Sequence, residues 1–61
     1  MRSKLFQNGA KFTIKINSEK RKIINQEFNG VDYVIYFDNG NLIFQSVLIE
    51  LINSNDILIN Q

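Results

Sequence analysis

The sequence predicts a single all-β domain, a small barrel of five or six short strands. Three observations predict it. Apolar residues recur with a period of two, the strand period, through most of the chain. Turn-forming runs such as Asn29-Gly30 and Asp38-Asn39-Gly40 cut those stretches at short intervals. With 61 residues the chain is too short for two stacked sheets, and a bent sheet that closes on itself buries an inner face with the least chain. The domain is expected over residues 1–61, its core over residues 6–52, with 53–61 as an extra strand or a tail.

The first strand is read over Lys11-Phe12-Thr13-Ile14-Lys15-Ile16, where Phe12, Ile14 and Ile16 share one face and Lys11, Thr13 and Lys15 the other. Asn17-Ser18-Glu19 reads as a turn, and a second strand runs from Arg21 to Phe28. Asn29-Gly30 then supplies two positive-φ positions for a tight hairpin. Val31 to Phe37 is apolar or aromatic on both faces apart from Asp32, the mark of an interior strand. At Asp38-Asn39-Gly40 the chain turns again, with the Asp38 side chain placed to bond the turn backbone, and Asn41 to Phe44 forms the fourth strand. The segment Val47 to Ile52 is read as one turn of tight helix leading into a short strand; a short helix capped by Ser46 is the alternative. Asn53-Ser54-Asn55 breaks the chain, and Asp56 to Ile59 is a last strand or a frayed end. Phe12, Ile14, Ile16, Ile35 and Phe44 are expected in one core.

A chain of this size buries only about 60% of its unfolded surface, so it sits near the lower limit for folding unaided. It has no cysteine, hence no disulfide and no thiolate ligand, and no histidine, the commonest general base at neutral pH. The scattered carboxylates Glu27, Asp32, Asp38 and Glu50 fall in no metal-binding or catalytic spacing. No catalysis, cofactor or metal is therefore expected. No apolar run approaches the roughly 20 residues of a membrane span, nor the roughly 7–15 of a secretion signal core, so a cytoplasmic protein without membrane contact is expected. Isoleucine and asparagine are unusually abundant, and both have AT-rich codons, which points to an AT-rich bacterium, a phage or a mobile element.

Several of these segments resemble the Src-homology-3-like (SH3-like) and Tudor-like group of small barrels. Phe6-Gln7-Asn8-Gly9 is similar to the F-x-x-G element that opens a strand in many of them. Val34 to Asn41 resembles the Tudor V-x-Y-x-D strand end followed by a turn and G-N. Phe44 to Leu51 resembles the F-P-S-N-Y-V-E-L end of Src-homology-3 domains. The resemblance covers roughly residues 6–52 and implies an SH3-like barrel fold; it does not carry the ligand sites of these families. Gln45 and Leu48 stand where the groove proline and tyrosine would be, and there is no tryptophan, so the aromatic groove for proline-rich peptides is not retained. Asn39 replaces the turn aromatic of a methyl-ammonium cage, leaving Tyr36 and Phe28. The plasmid-borne dihydrofolate reductases are similar small barrels, but Asn41-Leu42-Ile43-Phe44 lacks the glutamine of their V-Q-I-Y motif.

The charge is segregated. Residues 1–22 hold all seven cations (Arg2, Lys4, Lys11, Lys15, Lys20, Arg21, Lys22) and one anion, a net +6; residues 23–61 hold five anions and no cation, which leaves +1 overall. Lys11, Lys15, Lys20, Arg21 and Lys22 are therefore the candidate contacts to nucleic acid or an acidic partner. The alternative is a solvated strand face paired across the sheet with Glu27 and Asp32. Tyr33 and Tyr36, three apart on a strand, point to opposite faces, one into the core and one exposed. The exposed tyrosine, with Ile57 and Ile59, is a candidate protein contact through which a sheet edge takes a partner or a second copy. A net charge of only +1 favours protein over nucleic acid. The expected function is a small binding module, an accessory of a bacterial mobile element or phage, acting through protein contacts or self-assembly.

Overall fold

The computed structural model describes residues 3–60; Arg2, part of the basic N-terminal segment, lies outside them. Five strands form one antiparallel sheet with a single helix: β1 (Lys11–Ile14), β2 (Glu19–Phe28), β3 (Tyr33–Phe37), β4 (Leu42–Phe44), α1 (Gln45–Asn53) and β5 (Ile57–Asn60). The spatial order is β4-β3-β2-β1-β5, so a simple meander is completed by the last strand returning beside the first. Ten-residue β2 is the spine. Its first half pairs with β1, its second with β3, and the register shifts between Ile23 and Asn25. Such an irregularity bends and twists a strand, which lets the two halves of the sheet enclose a common core.

Phe12, Ile23, Ile35, Phe37, Leu48 and Ile57 form that core, at most 8% exposed, with Ile14, Ile43 and Leu51 packed against it. Edge-on ring contacts link Phe6 to Phe12 and Phe12 to Phe37, at 5.6 and 6.3 Å, a favoured aromatic geometry. The Phe6-Gln7-Asn8-Gly9 element does what its residues allow. Phe6 enters the core margin, and Gly9, at φ 91°, turns the chain so that its N–H reaches the Ile23 carbonyl at 2.7 Å.

The structure corrects the expected core at two positions. Ile16 is 93% exposed and Phe44 is 44% exposed. β1 stops at Ile14, because a turn begins at Lys15 and Ser18 adopts φ 58°; alternation in the sequence outlasts the strand. Phe44 lies opposite Val34, on the face turned away from the buried Ile35. The hairpin after β2 also differs. Only Gly30 of the Asn29-Gly30 pair has positive φ, and the connection runs through residues 29–32, with the Asn29 side chain accepting from the N–H groups of Val31 and Asp32 at 2.9 and 2.8 Å. At the next turn the bracing side chain is Asn39, which accepts from Asn41 N–H; Asp38 turns to the N–H of Lys22.

The segment after β4 is a nine-residue α-helix instead of one tight turn and a strand. Its N-terminus carries no local side-chain cap, so Ser46 is not the cap. Asp32, 7% exposed, supplies the acceptor from the preceding hairpin: its carboxylate takes the Ser46 hydroxyl at 2.7 Å and the Ser46 N–H at 3.2 Å, satisfying an end donor as a cap would. The other end closes on Asn55 at φ 64°, with Asn55 N–H on Ile52 and Asp56 N–H on Leu51, the paired bonds of a Schellman stop. That stop aims the chain into β5.

Candidate functional site

The sheet does not close on itself. β4 and β5 are its two ends, unpaired with one another. Which backbone groups they leave open follows from alternation in an antiparallel ladder. The bond from Lys15 N–H to the Asp56 carbonyl, 3.0 Å, sets the phase on β5: Leu58 and Asn60 bond to β1, and the N–H and C=O of Ile57 and Ile59 point away from it. The bond from Phe37 N–H to the Asn41 carbonyl, 2.9 Å, does the same for β4, leaving the groups of Leu42 and Phe44 outward. As the residue preceding α1, Phe44 gives its carbonyl to the helix.

An apolar groove of about 400 Å³ opens at this seam. Its walls come from β1, β3, β4, α1 and β5, chiefly Phe12, Ile14, Phe37, Leu42, Leu51 and Ile57. Ile16, in the turn after β1, lies at its lip. Arg21 and Asp56 are its charged members, and the Arg21 guanidinium is held by Glu19 and by the Lys20 carbonyl.

The structure separates the candidate cations. Lys11 stands directly opposite Lys22 and Thr13 opposite Lys20, so Lys11, Lys20 and Lys22 share the outer face of β1–β2. They rim a shallow hollow of about 250 Å³ with Asp38 and Asn60. Lys15 sits in the turn after β1. Arg21 is opposite Phe12 in the ladder and lines both the groove and the hollow of the lysines.

The candidate protein contacts divide too. Tyr33 and Tyr36 do point to opposite faces, but both are half-buried, which corrects the expectation of one core and one exposed ring. Tyr33 packs on Phe28 at 5.1 Å. Ile57 is taken up by the core, whereas Ile59, on the same face, is 52% exposed at the open edge.

Two glutamines whose tying role the sequence does not announce fix the opposite margin. Gln45, fully buried, donates to the Ser3 carbonyl at 2.8 Å and accepts from Leu5 N–H at 3.0 Å. Gln26 donates to the Phe6 carbonyl and to Asn8 Oδ1. Both tie the N-terminal segment down. Nothing local in the sequence marks them, since their partners lie 18 to 42 residues away.

Among the described residues no group of His, Cys, Asp or Glu is placed to hold a metal ion, and no helix is long and apolar enough to cross a membrane. Compared with protein-family models, curated proteins and solved structures, the chain matches none.

Proposed function

We propose that the chain is a small non-enzymatic binding module, an SH3-like barrel left open at one seam, which takes an extended apolar segment of a protein there. One observation carries this reading: the 400 Å³ groove lies between two strand edges that still have backbone groups to offer. An added strand gains main-chain bonds from the edge and places alternate side chains in the groove. Exposed aliphatic residues at the seam, Ile16, Leu42 and Ile59, lose water on such docking. The Ile- and Asn-rich composition is in keeping with the AT-rich bacterial or phage accessory expected from the sequence.

A selection from a displayed random-peptide library, followed by amide chemical-shift mapping of the selected peptide, tests this. The expected result is an apolar peptide that shifts the amides of Leu42, Phe44, Ile57 and Ile59. Shifts confined to the β1–β2 outer face, or no selected peptide, would contradict it.

A second reading rests on Lys11 facing Lys22. Like charges directly opposite destabilise a sheet, and an anion across Lys11, Lys20 and Lys22 relieves the repulsion. Titration with single- and double-stranded oligonucleotides at about 50 mM salt tests it, since phosphate contacts are strong at that ionic strength. Absence of binding there removes it.

A further inference from the structure

Resting on the docking reading above, we propose that the segment taken at the seam is β5 of a second copy of this chain, joined edge to edge about a two-fold axis. A two-fold strand contact must be self-complementary, because each copy presents the same segment in the reverse direction. Ile57-Leu58-Ile59 meets that condition. The outward backbone groups of β5 belong to Ile57 and Ile59, so Ile57 of one copy exchanges two bonds with Ile59 of the other, and the axis passes between the two Leu58 residues. All four bonds of the junction come from groups that β1 does not use.

Side chains agree with this register on both faces. On the core-facing side the exposed Ile59 of each copy lies against Ile57 of the other, at the margin of its groove. On the outer side Leu58, 43% exposed, meets its own counterpart. Just before the start of β5, the same register sets Asp56 of one copy opposite Asn60 of the other. Lys11 stands beside Asn60 in the ladder, on the same face, while the Asp56 carboxylate takes the Ser54 hydroxyl of its own copy at 2.7 Å. The Asn60 side-chain oxygen accepts the Thr13 hydroxyl at 2.8 Å, and its N–H₂ group is a donor.

The other edge fits worse. β4 has three residues, and its Phe44 carbonyl is spent in α1. β5 is short, but it carries no proline, no lysine and no bulge to guard its open edge. One strand junction is a small interface, so the dimer is expected to dissociate at concentrations on the order of micromolar or higher.

Sedimentation of the full chain from about 10 μM to about 1 mM tests the proposal across that range. The expected result is a monomer–dimer equilibrium that stops at two. Ile59→Pro, which removes an outward N–H and leaves the β1 bonds of Leu58 and Asn60 in place, is expected to weaken it at least about tenfold. Leu58→Lys, which sets two like charges against each other at the axis, is expected to weaken it as well. Both variants are checked for an unchanged unfolding midpoint, so that loss of fold is not read as loss of contact. A monomer throughout, growth beyond the dimer, or a dimer indifferent to both substitutions would overturn the proposal. If the chain stays monomeric while a selected peptide still shifts Ile57 and Ile59, the self-pairing is wrong and the docking reading stands; if neither occurs, both fall.

Discussion

The two margins of this sheet are built in opposite ways. Where the N-terminal segment crosses the molecule, Gln26 and Gln45 lace it to β2 and α1, and Phe6 seals the core beneath it. At the seam between β4 and β5 no side chain bridges the two strands among the described residues, and the core reaches solvent through an apolar groove. A 61-residue chain with no disulfide has a stability of roughly 3–9 kcal/mol by the usual per-residue scale. It has little to spare, yet both of its glutamine ties serve one margin. The comparison teaches that the open seam is where this fold has surface available for a partner.

The largest expected effect comes from the element that plugs both halves. Leu48 is fully buried and anchors α1 on the core, so Leu48→Ala is expected to cost about 2–5 kcal/mol. Urea unfolding followed by circular dichroism measures it. A cost below about 1 kcal/mol would mean that the helix is not part of the cooperative core.

Next is the buried carboxylate. Asp32→Ala removes the acceptor of Ser46 N–H and hydroxyl, and also of Tyr33 N–H, at an expected cost of about 1–3 kcal/mol. Ser46→Ala loses one of these bonds and is expected to cost about 1 kcal/mol. If the two variants were equally stable, Asp32 would not be holding the helix end.

The laced margin is tested by Gln45→Leu, nearly the same size but without the amide. Its expected cost is about 1–3 kcal/mol, with faster exchange of the Leu5 amide and no change at the seam. An altered seam would show that the margins are coupled. The smallest stability effect belongs to the open margin: Ile59→Lys is expected within about 0.5 kcal/mol of the parent, because Ile59 is half exposed. The same substitution is expected to abolish association, and that pairing of outcomes separates the two margins.

How far this was legible in the sequence depends on how local the cause is. The meander was readable because alternation in Lys11–Ile14, the unbroken apolar run of Tyr33–Phe37 and the glycines at 30 and 40 act within a few residues. α1 was not, because its N-terminal acceptor is Asp32, 14 residues upstream, and no acidic residue occupies its first turn. Burial of Gln45 was hidden for the same reason; its partners lie 40 and 42 residues away. Ile16 misled because periodicity cannot show where a strand stops. The basic cluster was legible as composition but not as geometry: strand parity sets Lys20 and Lys22 on one face beside Lys11, while Arg21 reaches both their hollow and the groove. At the seam, Ile57 and Ile59 stood out in the sequence as apolar residues. That their backbone groups point outward needed the register.

The open β5 edge is the claim on which the rest stands, and amide hydrogen exchange of the dilute, monomeric chain tests it most directly. The ladder predicts alternation along one strand: slow exchange at Leu58 and Asn60, whose N–H groups bond β1, and fast exchange at Ile59 between them. Uniform protection of Leu58, Ile59 and Asn60 in the monomer would mean that the edge is already covered and the seam closed.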